Sequence, residues 1–456
     1  MKLAHQRILY AAFVLAFLIF TPLIVLYSSG FRYNFIKNRI EQTGILVIQS
    51  EPSQATILLN DELKGLTPGR FTNLLPDAYK VSVTKSGYHP WHRTIQVVSQ
   101  LTSFAQKIVL FRQQLPTLEV ETAIGIFASS SDNRRLVYSR LNATEEELFL
   151  FSFANNQHQP LLSFDRSDYD RLEFVAWSPD NNRVLLREYI DDTSHYGVIN
   201  LVNNTVKDIN DITRLNFTQV EWDQDNNDII YGLSRAVLHR IDLVSNAAQR
   251  VASADILDFL AKGQTLYYIA REPDGTYLYQ TESGGTQAAQ PQKIKLPSPS
   301  TFHFDQAPDG MLALIDSQNQ ELFLLDSDVF DGSDVSEHIQ LQGQASRLIW
   351  SPDEQQVLLV TDFEISHYDI RTQALGLLTR YGRPITDVFW HPGQGHVIYR
   401  VGEEIRVTEV IADQRNDFEL ARITQINGMA VDAGAESLII AGRVSDKTGL
   451  YRLILE

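Results

Sequence analysis

The segment Leu348–Leu359, LIWSPDEQQVLL, has a near-copy 173 positions earlier in Val175–Leu186, VAWSPDNNRVLL. Pro and Asp favour tight turns, and short apolar runs bounded by turn residues read as buried strands, so each copy describes two strands closely joined. Three weaker echoes lie between them: Val220–Asp225 before Ile229-Ile230-Tyr231, Asp258-Phe259 before Leu266-Tyr267-Tyr268, and Phe304 with Ala307–Gly310 before Leu312-Ala313-Leu314. The separation is thus four periods of about 43 residues, the length of one unit in a propeller-like array.

Two more units follow the second copy, Val388–Pro392 before Val397–Tyr399 and Met429–Val431 before Leu438–Ile440. One precedes the first, Ser129–Asn133 before Leu136–Tyr138. A third strand with Asp or polar punctuation follows in each unit, and these strands include Leu148–Phe151, Val237–Asp242, Leu322–Asp326 and Ile365–Asp369. A period of this length with four short strands marks a β-propeller blade, and a single blade cannot bury both faces of its sheet, so the phrase must recur around a ring. Eight units predict eight blades over 113–456, with seven as the alternative if one unit is absorbed elsewhere. The last unit stops after a third strand, Gly449–Leu455, so Thr117–Glu121 is expected to supply its outer strand and lock the ring. The Trp-Ser-Pro-Asp phrase at Trp177–Asp180 and Trp350–Asp353 resembles TolB-like, WD40-related propeller repeats.

Upstream, Ile8–Tyr27 is an uncharged run of apolar residues. A helix of about 20 residues spans a hydrocarbon core of roughly 30 Å. The run exceeds the usual signal-peptide core, and Val25-Leu26-Tyr27 offers no small-x-small cleavage site, so 8–29 reads as a transmembrane helix held in the lipid bilayer. Lys2 and Arg7 precede it while Arg32, Lys37 and Arg39 follow, a balance that leaves orientation undecided. Residues 1–7 are then a short tail and 30–42 a juxtamembrane linker.

From Thr43 the pattern alternates with period two: Ile45 and Val47, Ile57 and Leu59, then Tyr79, Val81 and Val83, with turns at Glu51-Pro52-Ser53, Asn60-Asp61 and Ser86-Gly87. These features describe a compact β unit over 43–112. The residues Val47-x-x-Ser50-x-Pro52-x-x-Ala55, Gly65-x-Thr67-Pro68, Leu75, Tyr79-x-Val81-x-Val83 and Lys85-x-Gly87-Tyr88, with Trp91, resemble the PEGA domain, a small β-sandwich of surface proteins. Gln54 and Asp77 stand where that pattern has glycine. The resemblance implies an extracytoplasmic, envelope-associated setting, hence an amino terminus inside and the bulk of the chain outside the cytoplasmic membrane. Tyr88 and Trp91 are expected to close one end of the sandwich, the other reading being a glycan-stacking pair.

The fold class is therefore all-β with one amino-terminal transmembrane helix. A net charge of −17 argues against a nucleic-acid partner, and the absence of cysteine excludes disulfides, thiolate metal sites and a Cys nucleophile. No P-loop, G-x-S-x-G elbow or H-E-x-x-H occurs, and no catalytic, cofactor or metal residue is assigned. Three clusters carry side chains able to ligate a metal: Asp326, Asp328, Asp331 and Asp334; Asp223, Asp225 and Asp228; and His391 with His396 across HPGQGH. The Asp runs lack the EF-hand pattern, so the first reads as a solvated hairpin loop and the second as an ordinary blade turn. The histidine pair lacks a visible third ligand. Sequons at Asn142, Asn203 and Asn216 carry little information. The leading expectation is a non-enzymatic envelope scaffold whose propeller binds a protein or glycan partner. The alternatives are a propeller hydrolase or lyase and a structural surface-layer component.

Overall fold

The computed structural model describes residues 2–35, 37–284, 290–297, 301–332, 334–393, 395–410 and 414–456. Residues 2–114 with 414–418 and 456 group in one compact unit, and residues 115–410 with 419–455 in another.

The helix Lys2–Ser28 continues through Pro22. Its stretch Arg7–Ser28 has a mean hydropathy of 2.6 and no buried residue, and among the described residues it is the one helix long and apolar enough to cross a bilayer. Arg32 lies over the Tyr27 ring at 3.6 Å and donates to the Tyr27 carbonyl at 2.7 Å, satisfying one of the acceptors a helix end leaves open. Residues 30–42, expected as a linker, instead carry a hairpin of Phe31–Asn34 with Arg39–Gln42.

The next segment is a sandwich. A three-stranded sheet of Gly69–Leu74, Gly44–Glu51 and Thr102–Val109 faces a four-stranded one of Glu62–Leu66, Thr56–Leu59, Ala78–Thr84 and Trp91–Gln96. Ile57, Leu59, Val81 and Val83 point into the core as the alternation requires. The phase of the first strand differs: Leu46 and Ile48 are buried, while Ile45 and Val47 are half-buried. GILVI is apolar at both phases, so hydrophobicity alone could not choose between them. Gln54 adopts φ 61°, the left-handed conformation that explains glycine in the family pattern. Thr67 holds that turn, its carbonyl accepting from Gln54 N at 2.8 Å and its hydroxyl from Ala55 N at 3.0 Å. Trp91 is buried in this core and Tyr88 packs against it, so Trp91 has no open face for a sugar.

Eight four-stranded antiparallel sheets follow, each built from consecutive strands except the last. Blade 1 begins at Ala123–Ser129, blade 2 at Arg171–Trp177, blade 3 at Gln219–Asp223 and blade 4 at Asp255–Lys262; blade 5 begins at Phe302–Asp305, blade 6 at Arg347–Trp350, blade 7 at Ile385–Trp390 and blade 8 at Thr424–Val431. Thr117–Glu121 pairs with Lys447–Ile454 and completes blade 8, as the sequence requires. The ring therefore has eight blades.

Second strands carry unbroken apolar runs, such as Val184–Leu186 and Val357–Val360, because neighbouring blades cover both of their faces there. Val184 and Leu186 of blade 2 pack with Val137 and Leu148 of blade 1, whereas Leu185 between them packs with Val220 and Ile230 of blade 3. The same division continues round the circle until Ile439 and Ala441 of blade 8 meet Leu136 and Tyr138 of blade 1.

The seam between Thr117–Glu121 and Lys447–Ile454 is tight. A Cβ on Gly449 would stand 2.0 Å from the Val120 carbonyl oxygen, whereas one on Gly376, in the outer strand of blade 6, would meet nothing within 4 Å. Gly449→Ala should therefore lower stability by about 1–3 kcal/mol through overpacking. Gly376→Ala should leave stability unchanged or raise it slightly, and denaturant unfolding of the two variants provides the comparison.

Candidate ligand site at the channel mouth

The turn after each first strand is a side-chain device. Ser178 donates its hydroxyl to Asp180 at 2.6 Å and accepts the Arg183 N–H at 2.9 Å. Ser351 with Asp353 and the Gln356 N–H repeats these bonds at 2.7 and 3.0 Å. Ser130 with Asp132 and the Arg135 N–H gives 2.6 and 3.0 Å. The hydroxyl and carboxylate thus define the turn, and blade 1 makes it without proline. The Ser351 hydroxyl holds the Asp353 carboxyl below its ordinary range, against a small opposing effect of burial.

The first strands line the channel with one edge unpaired, and side chains from neighbouring blades satisfy it. Asp258 Oδ2 accepts the Phe304 N–H of blade 5 at 2.7 Å, and Asp305 Oδ2 accepts the Leu348 N–H of blade 6 at 2.7 Å. Trp350 Nε1 donates to the Gln306 carbonyl at 2.6 Å and Trp390 Nε1 to the Ile349 carbonyl at 2.8 Å, each reaching back one blade.

On the face carrying these turns the channel widens into a cavity of about 830 Å³ built by the first strands and turns of blades 2 to 6, with Ser131 of blade 1 at its rim. Phe174, Trp177, Trp222, Phe304 and Trp350 supply its rings, and Gln219, Glu221, Asp258 and Asp305 its principal polar groups. Gln219 Nε2 donates to Glu221 Oε1 at 2.6 Å and to Asp258 Oδ1 at 2.7 Å, clamping the two carboxyl groups together. Burial, then the neighbouring Asp258 charge, pushes the Glu221 carboxyl up to about 8, although Gln219 opposes the shift. Burial also raises Asp258 and Asp305 above the ordinary range, against their backbone hydrogen bonds. Arg187 is engaged by Glu173 and Tyr196.

The three candidate metal clusters are placed elsewhere. Among the described residues no three His, Cys, Asp or Glu side chains converge as a metal site. The segment expected as a solvated hairpin loop joins the paired strands Glu321–Asp326 and Ile339–Gln344 with Asp328, Asp331 and Asp334 exposed, and within it two 3₁₀ turns, Ser327–Asp331 and Val335–His338, bury Val329 and Val335 against blades 4 and 5. Its Asp326 accepts from Gln340 at 2.6 Å, and Asp334 caps the Ser336 N–H at 3.0 Å. Asp223, Asp225 and Asp228 point three ways: Asp223 accepts the Asp225 N–H at 3.0 Å, Asp225 accepts from Gly263 of blade 4, and Asp228 pairs with Arg183 of blade 2 at 2.8 Å. His391 and His396 lie edge to face with ring centroids 5.7 Å apart, both buried.

The mouth residues escaped the sequence reading because loop lengths do not single out one face of the ring. A signal was present: Glu173, Gln219, Arg347 and Asp387 stand three or four positions before Trp177, Trp222, Trp350 and Trp390, among the apolar residues of their strands, and Glu221 stands directly before Trp222. Aligning the repeats on tryptophan would have exposed that polar column.

Two outcomes follow from the turn and the carboxyl pair. Ser351→Ala and Asp353→Ala should each cost about 1 kcal/mol, and the double variant less than their sum, because both break one unit; denaturant midpoints measure this. For Glu221, a raised pKa means the folded protein holds a proton that the unfolded chain has released. Stability present below the ordinary value of 4.5 is therefore lost as pH rises towards about 8. Glu221→Gln should show a shallower fall over that window in unfolding free energy measured against pH.

Comparison with known proteins places the same two modules. Residues 43–110 match the PEGA domain. No curated protein matches the chain. Among solved structures, a eukaryotic initiation factor covers 80% of this chain and 96% of its own at 10% identity, with a TM-score of 0.50. Hsv2 of Kluyveromyces lactis, at 9% identity and a TM-score of 0.43, covers 65% of this chain and 99% of its own. An oligogalacturonate lyase in complex with manganese gives 11% identity and a TM-score of 0.41, covering 75% and 99%. At such identities the likeness concerns fold alone, so the chain is an apolar helix followed by a PEGA domain and a β-propeller.

Proposed function

We propose that this chain is a membrane-anchored interaction protein of the cell envelope. The helix at 8–29 holds it in the cytoplasmic membrane, the amino terminus lies inside, and the PEGA-like sandwich and TolB-like propeller stand outside. The observation that carries the reading is the open, ring-lined cavity assembled by the first strands of five consecutive blades. Sites of about 300–1,000 Å³ with a few convergent polar groups suit a small ligand or one projecting segment of a partner.

A hydrolytic reading begins from Glu221 and Asp258, two carboxyl groups held together in the cavity. Both oxygens of Asp258 already accept hydrogen bonds, from Gln219 and from the Phe304 N–H. That commitment suits a fixed structural acceptor better than a base or nucleophile, and it favours binding over catalysis.

The test uses full-length protein in detergent as bait for solubilised envelopes, beside a Gln224→Arg/Glu354→Arg variant altered at the exposed rim. One defined partner should be retained by the native chain and reduced at least about tenfold by the variant, a difference of roughly 1.4 kcal/mol. Equal retention, release of cleaved glycan, or ordered self-assembly alone would each overturn the proposal. Protease added outside intact cells should digest the sandwich and propeller; full protection would refute the orientation.

A further inference from the structure

We propose that the channel mouth is a subsite for an uncharged oligosaccharide of a few rings, gripped by aromatic faces and by Gln219 and Glu221. The inference rests on the reading of this cavity as the ligand site and adds the chemical class of what enters it.

The first argument is what remains of the charge. The cavity looks acidic, yet Asp258 and Asp305 are spent on main-chain N–H groups of the next blade. Arg187 is neutralised by Glu173. Glu221 keeps its proton through burial and the Asp258 charge. Of the charged lining groups among the described residues, Glu354 alone stands at the exposed rim. An anionic ligand would thus exchange its hydration for an interior whose one arginine is already paired, and a cationic one would meet carboxyl groups whose oxygens already accept hydrogen bonds.

The second argument concerns peptides. An extended peptide commonly binds by adding a strand to an open sheet edge. Here the first-strand edges of blades 5 and 6 have their Phe304 and Leu348 N–H groups capped by aspartates. Strand addition would have to break those charge-assisted bonds.

The third argument is the set of groups still open. Glu221 Oε2 and Gln219 Oε1 take part in no hydrogen bond among the described residues, although both side chains line the cavity. A protonated carboxyl beside a carboxamide oxygen offers a donor and acceptors together, which matches adjacent hydroxyls, each able to donate and accept. Around them stand the broad apolar faces of Trp177, Trp222 and Trp350, suited to the C–H faces of sugar rings. Trp177 and Trp222 also differ from Trp350 and Trp390 in that their buried indole N–H groups have no acceptor. Both nitrogens are shielded from solvent, so these two residues offer the cavity their ring faces and not their indole N–H groups.

The test is titration of full-length protein in detergent, by calorimetry and tryptophan emission. The ligands are neutral tetrasaccharides of glucose, mannose, galactose and N-acetylglucosamine, with tetragalacturonate, tetralysine and an uncharged Ser/Ala tetrapeptide. Three of the five tryptophans line the cavity, so binding should change the emission. A neutral tetrasaccharide should bind, Gln219→Ala and Glu221→Ala should weaken it at least about tenfold, and Glu221→Gln should hold it within about threefold, because the carboxyl acts uncharged. Matching circular dichroism and unfolding midpoints would show that the variants fold. Binding of no neutral saccharide overturns the inference, as does tighter binding of a charged ligand or peptide that Glu221→Gln abolishes. An envelope partner lost with the rim variant but not displaced by any neutral saccharide would sink the saccharide class and leave the interaction reading standing. Saccharide binding without any captured partner would do the reverse.

Discussion

Every blade is held by an alternation inside its second strand, whose successive side chains serve two different cores. Val184 and Leu186 belong to the interface with blade 1, and Leu185 belongs to the interface with blade 3. A sheet with two apolar faces cannot stand alone in water, so each blade depends on both neighbours and the array is stable only when closed. Closure rests on the contact of blade 8 with blade 1 and on Thr117–Glu121, a strand from the start of the ring completing its end. The outer strand of blade 8 thus ties together residues more than 300 positions apart, which removes the frayed end that an open array would expose.

That closure creates a second problem at the centre. Eight first strands converge there, each with one edge that has no strand partner, and a buried backbone N–H without an acceptor is costly. Side chains answer it: Asp258 and Asp305 accept from the following blade, Trp350 and Trp390 donate to the preceding one, and Arg400 donates to Ile426 O at 2.9 Å. Polar residues in the channel are therefore first a consequence of propeller geometry. A binding site can be recognised only as what this duty leaves over, and in this ring the remainder concentrates at Gln219, Glu221 and two tryptophans.

The ring was legible because its constraint is periodic. Each repeat couples a turn to an apolar run in its second strand, and the missing fourth strand of the last unit pointed to Thr117–Glu121. The sandwich was legible through its turns, but GILVI at Gly44–Ile48 hid its phase, since an apolar residue at every position carries no alternation. The short hairpin after the helix also escaped, because four-residue strands give too little pattern. The segment from Ser327 to His338 was legible in part: its aspartates lie in solvent as composition suggests, while Val329 and Val335, unread among them, bury against the neighbouring blade. Channel residues were the hardest to find, since a lone Glu or Gln in a strand looks like surface until the ring turns that face inward.

The overall charge sharpens what the channel can select. At −17 the chain carries a diffuse negative field that concentrates cations near its surface without discriminating among them. Salt screens such a field over roughly 10 Å, whereas the groups deep in the mouth act at contact distance, through oxygens already fixed by hydrogen bonds. Long-range attraction and short-range fit are thus separated: the exterior sets which molecules approach, and hydrogen bonds with aromatic contact decide which stays. A site built this way gains selectivity from the desolvation it withholds from charged competitors, and the same burial that holds the proton on Glu221 enforces it.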